Sequence, residues 1–280
     1  MVFENKTVSF IGSGVMAEAM IAGLMNHRLL QPEQVICADA LAERGDTLRE
    51  RYKVRATTDN IEAAEAADVL VLAVKPQAFG QVAQVLHNRA EKATMILSIL
   101  AGVKIRTIAE GIGNSSVVRA MPNTPAQIGQ GITVWTATPQ VPEAQRRQAK
   151  ALLGALGEEL FMDEEKYLDM ATALSGTGPA YVFLFMEALI DAGVHMGFSR
   201  RDAERLVLQT MRGSVEYAAK SGLHPAHLRN QVTSPGGTSA EAIYHMEKGG
   251  LRTVIARAVW AAYQHSIKLG GGDIKKPDER

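Results

Sequence analysis

Apolar residues gather in short unbroken runs through the first half of the chain and then scatter at intervals of three and four through the second. The runs centre on Val8, Phe10 and Ile11, then on residues 35–38, 69–74, 94–100 and 116–120. Segments this short suit strands, and a strand covered on both faces needs no polar alternation. Residues 69–74, Val-Leu-Val-Leu-Ala-Val, therefore predict a central parallel strand. Between the runs, Met16, Met20, Ile21 and Leu24 recur at helical spacing, and further helices are predicted over 41–52, 61–67, 79–86 and 105–112. Residues 53–56 read as a short strand, and Asp59 or Asn60 as the cap of the helix that follows. Strands alternating with helices of this length predict an α/β protein with a doubly wound parallel sheet, because right-handed crossovers put helices on both faces. Residues 130–136 and 159–162 flank a helix over 142–156 and extend the sheet at one edge.

After Met162 the β-type runs stop. The acidic Asp163-Glu164-Glu165 loop marks the boundary between a domain over 1–163 and an all-helical domain over 164–280. Pro179 lies in the first turn of a long helix, where no amide hydrogen is missed, and Val182, Phe183, Met186, Leu189, Ile190 and Val194 carry its apolar side. Ser199 with Asp202 predicts a capping box for the next helix, whose buried face is Leu206, Val207, Thr210, Met211 and Val215. The last helices are predicted over 240–248 and 251–269.

Two glycine-rich interruptions carry chemistry. Gly12-Ser13-Gly14 sits where the first strand becomes the first helix; Gly12 and Gly14 allow tight turning, and Ala17 fills a third small position. The first N–H groups of a helix are unpaired and partly positive, so they favour a pyrophosphate. Such loops also close ordinary strand-to-helix turns. Here the turn follows a strand, opens a helix and precedes Asp39, roughly twenty residues on, where an acid meets an adenosine ribose. That context predicts a Rossmann-type dinucleotide site. Lys75-Pro76-Gln77, at the carboxyl end of the central strand, borders the cofactor, and Ala101-Gly102 ends a further strand with residues small enough for a flat ring to approach. Arg119 to Pro125 form a loop stiffened by two prolines.

The second interruption is Ser234-Pro235-Gly236-Gly237-Thr238-Ser239. Consecutive glycines with flanking hydroxyls turn several N–H groups inward as an anion nest, and a carboxylate is the predicted guest. The plainer alternative is a capped interhelical turn.

Composition narrows the classes. Thirty basic and thirty acidic residues cancel in a chain of 280, leaving no field of the kind a nucleic-acid binder needs. The single cysteine, Cys37, permits neither an internal disulfide nor a cysteine zinc cluster and reads as a buried thiol. No histidine-carboxylate or metal constellation stands out, and His224 and His227 read as surface or capping residues. No unbroken run approaches the roughly twenty apolar residues of a membrane span, and residues 1–6 carry no signal segment. Lys275-Lys276 reads as a solvated tail. These features predict a cytoplasmic protein.

From end to end the chain resembles the Δ1-pyrroline-5-carboxylate reductase family. The resemblance rests on six motifs in the family's order: Phe10 through Ala17, Ala73-Val74-Lys75-Pro76, Ser98 through Val103, Arg119 through Pro125, Ser175 through Tyr181, and Ser234 through Ser239. Leu100 and Ser239 depart from the family's usual alanine and threonine, though Ser239 keeps the hydroxyl. The resemblance implies NAD(P)H-dependent reduction of the ring imine to L-proline, a helical dimerisation domain, and a homodimer or higher homo-oligomer. It also implies that Gly12, Ser13, Gly14, Val15, Met16, Ala17, Asn60, Ala73, Val74, Lys75, Pro76, Ile99, Leu100 and Ala101 hold the dinucleotide. Glu165, Gln231, Ser234, Gly236, Gly237, Thr238 and Ser239 would surround the substrate, and the hydroxyl of Ser239 or of Thr172 would polarise the ring nitrogen. NADPH is the favoured cofactor and NADH a possible one, since Asp39 suits a free 2′-hydroxyl while Arg44 suits a 2′-phosphate. Two rivals remain. A β-hydroxyacid dehydrogenase needs a Gly-x-x-x-Lys-type helix with a following asparagine, which the chain after Glu165 does not offer. A dinucleotide sensor without turnover leaves the carboxylate loop unexplained.

Overall fold

The computed structural model describes residues 2–271, and Lys275-Lys276 lie outside them. The chain divides into two compact units, one running to Thr177 and resuming at Ala262, the other spanning Gly178–Ala261.

The first unit is built on an eight-stranded sheet. Its strands are β1 Val8–Ile11, β2 Val35–Ala38, β3 Arg55–Thr57, β4 Val69–Leu72, β5 Met95–Ser98, β6 Val117–Met121, β7 Gly131–Ala137 and β8 Gly157–Phe161. Their order is β3-β2-β1-β4-β5-β6-β7-β8, and every neighbouring pair is parallel except β6 with β7. The order reverses between β1 and β4, the switch point at which open α/β sheets bind ligands.

Strand pleating explains the unbroken apolar runs, because successive side chains enter opposite faces. Val8, Phe10, Val69, Val71, Met95 and Leu97 join one core, together with Met20, Ile21 and Leu24 of α1 Val15–Asn26 and Leu152 and Leu153 of α6 Glu143–Gly154. Ile11, Leu70, Leu72 and Ile96 join the other, under α3 Asn60–Ala66, α4 Phe79–Leu86 and α5 Ile105–Ile112. α2 Ala42–Tyr52 contributes Leu48 to the first core. Of the two candidate caps for α3, Asp59 does the work, its Oδ1 accepting the Ile61 N–H at 2.8 Å.

Three readings are corrected. β4 stops at Leu72, short of Val74, because Ala73 and Val74 turn past Gly12; Ala73 still donates its N–H to the Ile11 carbonyl at 2.9 Å. The proline-stiffened loop contains a short 3₁₀ turn, Thr124–Ile128, with Pro125 at its start, where proline's missing N–H costs nothing. One helical stretch, Lys166–His195, is long and apolar enough to cross a membrane, with a mean hydropathy of 1.4. Unbroken runs miss it because isolated polar residues interrupt them while the average over the window stays apolar.

That stretch begins with α7 Lys166–Ala171 and a π-helical turn, Thr172–Gly176, and continues as α8 Gly178–His195. The second unit holds the whole of α8, then α9 Arg200–Ser221, α10 Pro225–Gln231, α11 Thr238–Lys248 and the start of α12 Leu251–Leu269. Ser199 caps α9 by accepting the Asp202 N–H at 3.1 Å, and His224 Nδ1 caps α10 by accepting the Ala226 N–H at 3.2 Å.

Candidate active site

A cleft of about 570 Å³ opens at the carboxyl ends of β1, β2 and β4. It is lined by Gly12, Gly14, Asp39, Asn60, Ala73, Val74 and Lys75, seven residues that sequence reasoning assigned to the cofactor, and also by Arg44, Gln81 and Val82. Gly12 has φ +93°, and a Cβ there would lie 2.8 Å from the Ala73 carbonyl oxygen, so glycine is required both for the turn and for the approach of β4. Its N–H donates to the Ala38 carbonyl at 2.8 Å, tying the turn to β2 as well.

Gly14 is the N-cap of α1 and supplies no side-chain acceptor, so the N–H groups of Val15, Met16 and Ala17 remain unpaired by the helix. A Cβ on Gly14 would meet no atom within 4 Å; the space above it is open to a ligand. Ser13 Oγ is buried within the turn without a partner among the described residues. An open cradle, unpaired helix N–H groups and an orphaned hydroxyl fit a dinucleotide pyrophosphate.

Asp39 follows β2 and is held from two sides. Its Oδ2 accepts the Ser13 N–H at 2.7 Å and its Oδ1 the Leu41 N–H at 3.0 Å. Arg44 donates from Nε and Nη2 to the Ser13 carbonyl at 3.1 and 2.7 Å, and from Nη2 to Glu18 at 2.9 Å. Burial, reinforced by the Asp39 charge, pushes the Cys37 thiol up to about 12, so it stays protonated and inert.

The other cofactor candidates lie off this cleft. Val15 borders a separate hollow with Glu18, Arg51 and Tyr52, while Met16 packs on the core and Ala17 is fully buried. Pro76 opens a 3₁₀ turn beyond β4. Ile99, Leu100 and Ala101 follow β5, and the Leu100 side chain is buried in the second core, so it presents only backbone.

Glu165 and Thr172 belong to the first unit and are already engaged there. Glu165 Oε1 accepts the Arg119 Nη1 donor at 2.8 Å and the Ile105 N–H, the first of α5, at 2.7 Å. Arg119 also approaches Asp169 at 3.6 Å, and Ser266 Oγ donates to Asp169 at 2.9 Å. Sequence reasoning missed this network, and the signal for it was an arginine inside an apolar strand, since a buried guanidinium needs paired acceptors. The Thr172 hydroxyl donates to the Leu168 carbonyl at 2.7 Å, which leaves it an acceptor toward any ligand. Asn123 ties the proline loop down, donating to the Ser175 carbonyl at 3.2 Å and accepting the Ile132 N–H at 3.0 Å.

In the second unit, residues 234–239 form a turn and a helix start. Gly237 donates its N–H to the Ser234 carbonyl at 3.0 Å, Gly236 has φ +72°, and the Ser234 hydroxyl folds over Gly237 where a Cβ would stand only 2.6 Å from it. Gly237 caps α11 without a side-chain acceptor, so the Thr238 and Ser239 N–H groups face outward unpaired. Ser234, Gly236 and Thr238 are exposed, Ser239 is half-buried, and Gln231 is exposed at the end of α10. The geometry is that of an anion nest and equally of a glycine-capped helix.

A switch-point cleft with a glycine turn at a helix N-terminus places the first unit in the Rossmann-type dinucleotide-binding class. Residues 7–102 match the family described as NADP oxidoreductase, coenzyme F420-dependent, and residues 165–269 the family described as pyrroline-5-carboxylate reductase dimerisation. The chain is similar to a pyrroline-5-carboxylate reductase of Synechocystis, 42% identical over 94% of this chain and 98% of that one. Among solved structures it resembles a pyrroline-5-carboxylate reductase of Coxiella burnetii, with TM-score 0.87, 33% identity, and 97% and 100% of the two chains covered. It also resembles the Plasmodium falciparum pyrroline carboxylate reductase solved with NADP bound, with TM-score 0.87, 32% identity, and 96% and 99% covered. The chain belongs to the pyrroline-5-carboxylate reductase family.

Proposed function

We propose that this protein reduces 1-pyrroline-5-carboxylate to L-proline with a reduced nicotinamide dinucleotide, NADPH or NADH, as the closing step of proline synthesis. The observation that carries this reading is the match along 94% of the chain to a relative named for that activity. In support, the chain holds two helix starts with unpaired N–H groups, at Gly14 and at Gly237, one suited to a pyrophosphate and one to a carboxylate.

When bound, the reduced nicotinamide supplies a hydride to the imine carbon, which becomes Cδ of proline. The residues of the chain do the positioning. The turn from Gly12 to Ala17, with Asp39, Asn60 and residues 73–76, holds the dinucleotide at the switch point. Gln231, Ser234 and residues 236–239 hold the substrate carboxylate and so fix which ring carbon is presented. Glu165 supports the substrate side through its hold on Arg119 and on the start of α5. The Ser239 hydroxyl, which has no hydrogen bond among the described residues, or that of Thr172, accepts from the ring N–H. A protonated imine is already electrophilic, so no strong acid is required and catalysis is chiefly a matter of orientation.

The working unit is a homodimer or a higher homo-oligomer, since the helices of the second unit carry large apolar residues that a single chain leaves uncovered: Leu184 is 67% exposed and Val215 68%. The exposed apolar side of α8 is assigned to this contact rather than to a membrane, and the enzyme to the cytoplasm. The test follows dinucleotide absorbance with pyrroline-5-carboxylate, with a simple hydroxy acid plus oxidised cofactor, and with neither. Oxidation of the cofactor only in the first condition supports the reading; oxidation of the hydroxy acid would favour a β-hydroxyacid dehydrogenase, and no change anywhere a sensor.

A further inference from the structure

The adenosine end of the cleft has a charge arrangement that bears on which dinucleotide it holds, an inference that rests on the dinucleotide-binding part of the reading above. In a sheet of this kind the residue at the carboxyl end of β2 meets the adenosine ribose. Here it is Asp39, whose two oxygens are fixed by the Ser13 and Leu41 N–H groups at 2.7 and 3.0 Å. Those two N–H donors hold the carboxylate at one place in the cleft wall. An ionised carboxylate accepts hydrogen bonds from ribose hydroxyls and repels a phosphate on the same sugar.

A 2′-phosphate at that position would need a cation to offset Asp39. Ala40 and Leu41, the next two residues lining the cleft, offer no side-chain donor. Arg44 lines the cleft as well, but its Nε and Nη2 hydrogens are spent on the Ser13 carbonyl and on Glu18. Glu18, largely buried, pairs with Arg51 as well as with Arg44, so Arg44 is tied to a carboxylate that is held in place. Counted together, Asp39, Glu18, Arg44 and Arg51 carry no net charge, and Asp39 itself has no arginine within ion-pair distance among the described residues.

We propose that Asp39 makes this chain bind NADH more tightly than NADPH, with Glu18 reinforcing the preference by holding Arg44 away from a 2′-phosphate. NADPH still serves the reaction; the inference concerns which dinucleotide is held better. Asp39 is then a specificity-determining residue, and Glu18 a positioning residue acting through Arg44.

The test is direct binding of each reduced dinucleotide to the full chain, by calorimetry and by nicotinamide fluorescence, with no imine present. The expected result is a Kd for NADPH about tenfold or more above that for NADH, narrowing at higher salt because the repulsion is screened. Asp39→Ser should narrow the ratio severalfold. Asp39 also supports the glycine turn, so Glu18→Gln provides a second route: it leaves Asp39 in place, frees Arg44, and should improve NADPH severalfold relative to NADH. Equal or tighter binding of NADPH by the unaltered chain, or a ratio unmoved by both substitutions, would overturn the inference. Tight, NADH-selective binding in a protein that fails to turn over pyrroline-5-carboxylate would support it while breaking the reading of the reaction.

Discussion

Two helices of this protein begin in the same way, and their surroundings could hardly differ more. α1 starts at Gly14 and α11 at Gly237, each with a glycine N-cap, no side-chain acceptor and first-turn N–H groups left unpaired. Behind α1 stands a finished structure: β1 and β4 are buried along their whole length, Gly12 is wedged against Ala73, and Asp39 holds the Ser13 N–H. Around α11 almost nothing is finished. Among the described residues, Gly193 is the buried residue of α8 and Ala203 that of α9, while α10 and α11 have none. The same backbone device is therefore complete within one chain in the first unit and awaits further covering in the second. A second copy supplies that covering in the proposed account, which ties substrate binding to assembly.

The sharpest way to break this comparison is at the finished end. Gly12→Val puts a β-branched residue at φ +93° and a Cβ into the Ala73 carbonyl, at a cost of about 1–3 kcal/mol in strain. Because a shift of about 1 Å in a positioned reactant costs about a hundredfold, activity and dinucleotide binding should both fall at least that far. Gly14→Val serves as its contrast, since its side chain enters open space: thermal stability should be retained while dinucleotide binding is lost. Tight binding by either variant would show that the turn is not the cradle.

At the unfinished end, Leu184→Glu combined with Val215→Glu should convert the oligomer to a monomer on light scattering, removing about 1.5–3 kcal/mol of burial per side chain and most of the activity. An unaltered chain that is already monomeric and active would undo the comparison. A smaller effect is expected at Ser239→Ala, where loss of one hydrogen bond to the substrate costs about 1–2 kcal/mol, seen as a KM raised about tenfold. Unchanged turnover with unchanged KM would remove Ser239 from the site.

The smallest effect concerns the first unit's own stability. Burial pushes the Asp68 carboxyl up, but the Thr7 N–H, Lys6 and Lys92 together outweigh it and hold the group below the ordinary 3.8. A depressed carboxyl contributes stability that is full above its unfolded value and lost as pH falls through its folded value. Asp68→Asn should therefore destabilise by about 1–2 kcal/mol near neutral pH and progressively less as pH falls below the carboxyl's ordinary 3.8, read from denaturant midpoints.

The first unit was the more legible in sequence, and for a physical reason. A strand covered on both faces must be apolar throughout, and a helix between two such strands must follow its own period, so α4 and α5 stand where the pattern puts them. The glycine turn and Asp39 were legible because backbone conformation and charge there admit few residues. Partnerships across long sequence distances were not. Glu165 reaches Arg119 and Ile105, and Glu18 holds both Arg44 and Arg51, none of which local pattern reveals. The π-helical turn at Thr172–Gly176 was also invisible, since Ser175-Gly176-Thr177-Gly178-Pro179 reads as a helix start when in fact helix already precedes it. In the second unit the periodicity located the helices, but apolar positions on them do not say which partner covers each.

The central claim is that this chain transfers hydride to a ring imine whose carboxylate is held by residues 234–239. It is tested most directly by supplying 1-pyrroline-5-carboxylate with a reduced dinucleotide carrying deuterium at the transferable C4 position. The account predicts L-proline bearing one deuterium at Cδ, formed in a one-to-one ratio with oxidised cofactor. Proline without deuterium, or cofactor oxidation without proline, would contradict it.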